Sequence, residues 1–209
     1  MKKQIVVLDY GFGNVRSAQK SLQSLGADVD ISNDYQKCLN ADALVIPGVG
    51  AFKSCMQGLI KVKAEEIVDQ RLVANRQILG ICVGMQVLFE EGNEHGEKTK
   101  GLAQWPGLVE QLKSPVLPHM GWNDIQVGTG SNLFKGIENQ KFYFVHSFAS
   151  KDIDFKQSQK IEPPIKHFAV YGDKFLAAAE NGPLNATQFH PEKSGDAGMQ
   201  LLKNWMVSI

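Results

Sequence analysis

Cys82 is one of only three cysteines in this 209-residue chain, and it stands in the pentad Gly-Ile-Cys-Val-Gly at 80–84. The apolar run QILGIC leads into it and VGMQVLFEEG leads away, so the thiol falls where a buried strand turns into a helix. This is the cysteine counterpart of the G-x-S-x-G elbow, in which a nucleophile sits on a sharp strand-to-helix turn and glycines remove side chains that would collide. The amides and dipole at the start of the following helix would favour the thiolate, the reactive form of the group. A buried cysteine acting as a small hydrophobe is the commoner fate, but packing alone gives no reason for two flanking glycines.

A cysteine nucleophile needs a base, and QFHPEKS supplies one. His190 follows the short strand NATQF, Pro191 stiffens the turn, and Glu192 lies where a carboxylate could orient the imidazole and stabilise its charged form. Alone, an H-x-E triplet reads as a surface turn; the elbow gives it a partner. PGVG at 47–50 is a glycine-rich turn after another buried strand, and loops at the carboxyl ends of neighbouring strands converge on the ligand crevice of a doubly wound sheet. The Val49 and Val83 amides would then donate to one developing oxyanion. The alternative for PGVG is a tight turn that needs positive φ.

Other candidates carry less. His95 falls in a polar loop, His119 precedes Met120, His146 lies in an aromatic strand and His167 begins another, none with a ligand partner at metal spacing; no metal is expected. Cys38 and Cys55 fall in helical patterns and read as packing residues. GFGNVR at 11–16 begins like a dinucleotide fingerprint, with Asp28 and Asp30 further on, but Arg16 replaces the third glycine and would hold the helix away from the strand. No cofactor is expected.

The elements that position these groups follow from periodicity. QIVVLDYG (4–11) and NVRSAQKSLQSLG (14–26) form a strand and a helix, ADVDIS (27–32) and ADALVIPGVG (41–50) two more strands, and 52–72 one long amphipathic helix before QILGIC. Strands alternating with helices imply a parallel sheet with right-handed crossovers. After Gly92 the pattern changes to short alternating runs, GLVEQL, NDIQVG, KFYFVHSFAS, HFAVYGDKFLAAAENG and NATQFH, as in antiparallel hairpins, and a terminal helix closes the chain. The fold class is α/β, a doubly wound, mostly parallel sheet flanked by helices with an added antiparallel portion in the second half. Residues 1–209 are read as one domain whose two halves share a sheet core. With 22 basic and 22 acidic residues the chain has no field to hold a polyanion, so neither nucleic acid nor an anionic membrane is an expected partner. Three unpaired cysteines suit a reducing compartment, and no apolar stretch is long enough to span a bilayer, so the cytoplasm is the expected location.

Taken in order, PGVG, GICVGMQ and QFHPEKS resemble the class I, or triad, glutamine amidotransferases. DYGFGNVRS, LPHMGWN, YFVHSF and HPEKSGDAG narrow the resemblance to the glutaminase subunits of imidazole glycerol phosphate synthases. The resemblance spans the chain. It implies that Cys82 attacks the carboxamide of glutamine, that His190 relays the proton to the departing ammonia, and that Glu192 holds His190. It places Gly50, Gln86, Glu94, Ser147 and Phe148 at the glutamine site, with Phe148 where the family has Tyr and Val83 where it has Leu. It also implies a heterodimer with a (β/α)8-barrel cyclase, entered through Asn14, His119, Met120, Trp122, Tyr143 and Lys193. The flexible glycines of PGVG suggest an oxyanion donor that aligns only when the loaded partner docks. The alternative is the same glutaminase serving a paralogous synthase that amidates a glycan sugar.

Overall fold

The computed structural model describes residues 2–155 and 163–209. Its first half is a βα alternation: β1 Gln4–Leu8, α1 Val15–Ser24, β2 Asp28–Ser32, α2 Tyr35–Asn40, β3 Ala43–Gly48, α3 Phe52–Lys61, α4 Ala64–Val73, β4 Gln77–Cys82 and α5 Val83–Gln86. Strands then dominate, as β5 Phe89–Glu94, β6 Glu97–Lys100, β7 Trp105–Gln111, β8 His119–Asp124, β9 Lys141–His146, β10 Phe148–Ser150, β11 Ile165–Tyr171, β12 Asp173–Asn181 and β13 Leu184–Thr187. A 3-10 turn at Pro191–Lys193 and α6 Gly195–Val207 end the chain.

Seven strands form the main sheet in the order β11-β12-β13-β4-β3-β1-β2. The run from β13 to β2 is parallel, while β12 and β11 add the antiparallel edge. β3 is buried along its whole length and β4 along nearly all of it, which is why both read as continuous apolar runs. Register decides where the chemistry falls. Gly48 pairs with Cys82 across β3 and β4, and Ile81 pairs with Thr187 across β4 and β13. The carboxyl ends of these three strands therefore bring PGVG, Cys82 and the segment 188–190 side by side.

Several elements differ from the sequence reading. The long helix over 52–72 is two helices, broken where Lys63 adopts φ 57°. The buried stripe explains the break: Phe52, Cys55, Met56 and Leu59 continue at Ala64, Ile67 and Val68, one residue out of phase with a single helix. The helix after Cys82 lasts only four residues, and the consecutive buried residues Val87, Leu88 and Phe89 lead into β5 instead. The helical pattern read around Cys38 is the short α2, capped where the Asp34 carboxylate accepts from the Lys37 amide at 2.8 Å. The strand expected at NDIQVG lies earlier, as β8, with Gln126 making an isolated bridge to Phe168. The two halves do share the main sheet, but β5, β6, β7 and β10 form a second sheet and β8 and β9 a third.

Arg71 ties the edge of this frame. Fully buried, its guanidinium donates to the carbonyls of Cys38, Leu39, Ala41, Asp42 and Gln77, joining the end of α2 to the starts of β3 and β4. Burial lowers it to about 10, which leaves it charged at neutral pH. Arg71→Leu strands these acceptors and is expected to cost about 3 kcal/mol or more. Urea denaturation measures it; an unchanged midpoint would show that the carbonyls find other donors.

Candidate active site

Cys82 ends β4 with φ 57° and ψ −114°, a conformation that L residues avoid and that costs about 1–3 kcal/mol. Glycines make the bend possible. A Cβ on Gly84 would lie 1.8 Å from the Ile46 carbonyl oxygen, one on Gly48 would lie 2.4 Å from the Gly84 nitrogen, and one on Gly80 would lie 2.7 Å from the Gly84 oxygen. The ends of β3 and β4 thus stack against the start of α5 backbone to backbone, and the thiol is turned out of the sheet.

The side chains of His190 and Glu192 are both buried, with Nδ1 of the imidazole 2.8 Å from Oε1 of the carboxylate. The carboxylate can only accept, so the proton is on Nδ1 and Nε2 is left for the thiol. Burial alone depresses the imidazolium, but the pull of Cys82 and of Glu192, the latter through its hydrogen bond, outweighs it and raises His190 to about 9. The turn that carries the base is riveted. The Ser194 hydroxyl donates to the His190 carbonyl at 2.7 Å and accepts from the Tyr143 amide at 3.0 Å, while the His190 amide donates to the Tyr143 carbonyl at 3.0 Å. Gly198 completes the packing, since a Cβ there would lie 1.9 Å from the Pro191 oxygen.

Cys82 and His190 open into a cavity of about 220 Å³ whose walls include Val49, Val83, Gly50, Gln86, Glu94, Ser147 and Phe148, with Val145, His146 and Lys193. Ligand pockets for drug-sized molecules run to about 300–1,000 Å³, so this one is in the size class of a free amino acid. Glu94 holds one oxygen on the Phe52 amide at 2.9 Å, and burial raises its carboxyl above the ordinary value. Both amide hydrogens of Gln86 are engaged, by the Phe148 carbonyl at 2.8 Å and by Gln188 at 3.1 Å, which leaves its oxygen as an acceptor. The PGVG turn is clamped from below: the Tyr10 hydroxyl donates to the Pro47 carbonyl at 2.6 Å and the Cys55 thiol to the Val49 carbonyl at 3.4 Å. The dinucleotide-like GFG has its explanation here. Gly13, at φ 107°, lies where a Cβ would be 2.9 Å from the Pro47 oxygen, so the glycine serves contact between loops.

Residues 6–209 match the family described as glutamine amidotransferase class-I. The chain belongs to that family. The amidotransferase is 53% identical to the imidazole glycerol phosphate synthase subunit HisH of Nocardia farcinica, over 100% of this chain and 99% of that one. It is 52% identical to the subunit of the same name in Corynebacterium glutamicum, over the full length of both. Among solved structures, a chain of PurLQS from Thermotoga maritima superposes with a TM-score of 0.71 at 19% identity, covering 99% of each chain. A further glutamine amidotransferase superposes with a TM-score of 0.71, also at 19%, covering 96% of this chain and 98% of that one. At that identity the fold is what is shared.

The amidotransferase gathers all nine residues expected at the nucleophile, the base, the oxyanion and the glutamine site into one cavity, with Glu192 behind His190. The hydroxyl missing at Phe148 matters little to the frame, because that position acts through its carbonyl, which also accepts from His146 Nδ1 at 2.9 Å. The residues expected at a partner interface divide. Met120 and Trp122 are 62% and 54% exposed, and Trp122 meets Tyr143 edge-on with centroids 6.0 Å apart. Asn14 is half-buried at the start of α1, and Lys193 is exposed at the cavity mouth. His119 is a correction: only 3% exposed, it stacks between Tyr171 and Phe144, with centroids 4.1 and 4.8 Å away, and has no side-chain surface to offer. Cys55 does more than pack, since its thiol holds the PGVG turn through the Val49 carbonyl. Gln188 escaped notice: it lies in the bend just after β13, and what marks it is its contact with Gln86, a residue distant in sequence.

The raised value of His190 sets a sign. Its ion pairing contributes stability fully below the ordinary histidine value of about 6.5, and the contribution is lost as pH rises through about 9. Imidazole NMR is expected to show His190 protonated at neutral pH and titrating near that upper value. Glu192→Gln should lower the midpoint; an unmoved midpoint would mean that the carboxylate is not what holds the charge.

Proposed function

We propose that this amidotransferase is the glutaminase subunit of an imidazole glycerol phosphate synthase. The carrying observation is that Cys82, His190 and Glu192 meet at an amino-acid-sized cavity, and full-length relatives at about half identity bear that subunit's name. In the proposed cycle the Cys82 sulfur adds to the carboxamide carbon of glutamine and the carbonyl electron pair moves onto oxygen. The Val49 and Val83 amides receive that charge. The tetrahedral carbon collapses, the C–N bond breaks, and His190 protonates the departing nitrogen to give ammonia and a cysteinyl thioester. Water, losing its proton to His190, then adds to the thioester, and glutamate leaves as sulfur regains its electron pair. Gly50, Gln86, Glu94, Ser147 and Phe148 hold the substrate: the Glu94 carboxylate suits its ammonium and the Gln86 oxygen suits an N–H donor.

Ammonia released into water is protonated and lost, so its acceptor should sit on the same molecule or a docked one. The partner in this reading is a (β/α)8-barrel cyclase, and the docking face is the one that exposes Met120 and Trp122 beside Tyr143, Asn14 and Lys193. Exposed large apolar side chains of this kind are characteristic interface anchors. That face is mechanically close to the catalytic turn, because the Tyr143 backbone bonds to both His190 and Ser194. No helix among the described residues is long and apolar enough to cross a membrane, and a cytoplasmic location fits a soluble partner.

Glutamate release measured with and without the cyclase and its nucleotide acceptor tests the reading. The loaded partner is expected to accelerate release, and Cys82→Ser to abolish it while ammonium-driven synthesis by the partner continues. Equal rates with and without partner, or release by the serine variant, would count against it.

A further inference from the structure

Gln188 is 1% exposed and does not line the substrate cavity, yet its side-chain Nε2 is 3.8 Å from Cys82 Sγ. An amide could turn either nitrogen or oxygen towards the sulfur, and the neighbours decide which. The Phe148 carbonyl can only accept, so the Gln86 atom 2.8 Å from it is the nitrogen. The second hydrogen on that nitrogen points at Gln188 Oε1, 3.1 Å away. The Gln188 oxygen is thereby committed to Gln86, and its NH2 group is left facing the thiol. The anchor is firm. His146 Nδ1 also binds the Phe148 carbonyl, and His146 Nε2 lies 3.0 Å from His119 Nδ1, so the chain of donors is directed all the way from β8. Burial lowers His119 to about 4 and His146 to about 3, which keeps both neutral and the direction of the chain fixed.

We propose that Gln188 is a catalytic residue of this amidotransferase: its amide N–H donates to the Cys82 sulfur from outside the substrate cavity and stabilises the thiolate, in an orientation imposed by Gln86. A donor to the charged form favours that form. The site has use for one, because α5 has four residues and so few aligned peptide dipoles behind the nucleophile. Gln188 thus complements His190, which faces the same sulfur from the cavity side. The role is unlike that of the substrate-binding residues: it is made to the enzyme's own reacting atom, so it should appear in kcat and leave KM alone.

Gln188→Met keeps the side chain's length and removes the donor. With iodoacetamide at about pH 6, where little thiolate forms without help, alkylation of Cys82 is expected to slow about tenfold or more. Glutamine hydrolysis should lose a similar factor in kcat, with KM within about twofold. Gln86→Met is the second arm, since it frees the Gln188 amide to turn and should also slow alkylation by this small reagent. Iodoacetamide needs neither glutamine nor a partner, so the outcome is separate from the synthase assignment. Thermal midpoints show which variants are folded. Alkylation of folded Gln188→Met or Gln86→Met at the parent rate, or a Gln188→Met defect confined to KM, would overturn the proposal.

Discussion

The rest of the structure depends on one backbone contact, the seating of Gly84 beneath the Ile46 carbonyl, where even a methyl group would lie 1.8 Å from oxygen. That approach forces the chain to turn within one residue after β4, and Cys82 takes the φ of 57° that the turn demands. The strain is of order 1–3 kcal/mol. It is outweighed by the strands on either side: Leu44, Val45, Ile46, Ile78, Leu79 and Ile81 are buried, and each such side chain contributes about 1.5–3 kcal/mol. Cys82 is held in a conformation it would not choose because the packed strands around it outweigh the strain.

The same contact sets the electrostatics. Once β3, β4 and β13 are in register, the ends of three adjacent strands deliver the PGVG turn, the Cys82 thiol and the His190 imidazole to one small cavity. His190 is then pulled in opposite directions by burial and by its two partners, and the partners win. Each surrounding glycine or hydroxyl has a local reason. Gly198 lets α6 approach the Pro191 carbonyl, Ser194 ties the catalytic turn to β9, and Tyr10 and Cys55 hold the PGVG turn from beneath. Little of this apparatus touches a substrate; most of it positions the few groups that would.

How much of this was legible in the sequence depended on the range of the interactions. The elbow, the base and the parallel strands are local signals, so Cys82, His190, β1 and β4 could be read from motif and period. The break at Lys63 was visible only as a one-residue slip in an apolar stripe, easily read as a continuous helix. The strand β5 was hidden because three consecutive apolar residues after a helix start look like its continuation. Gln188 and the inward packing of His119 depend on contacts between distant segments, with Gln86 for the one and Tyr171 for the other, and no local pattern reports those. The purpose of Gly13 in GFG was hidden for the same reason: its partner, Pro47, is more than thirty residues away.

The most direct test of the constraint is to add one methyl group. Gly84→Ala, treated with a chloromethyl ketone analogue of glutamine that the thiolate captures with loss of chloride, reports whether the sulfur is still aimed into the cavity. The expected result is a folded variant whose Cys82 is labelled at a small fraction of the parent rate. Labelling at the parent rate would contradict it, because the bend would then not depend on the contact that Gly84 makes.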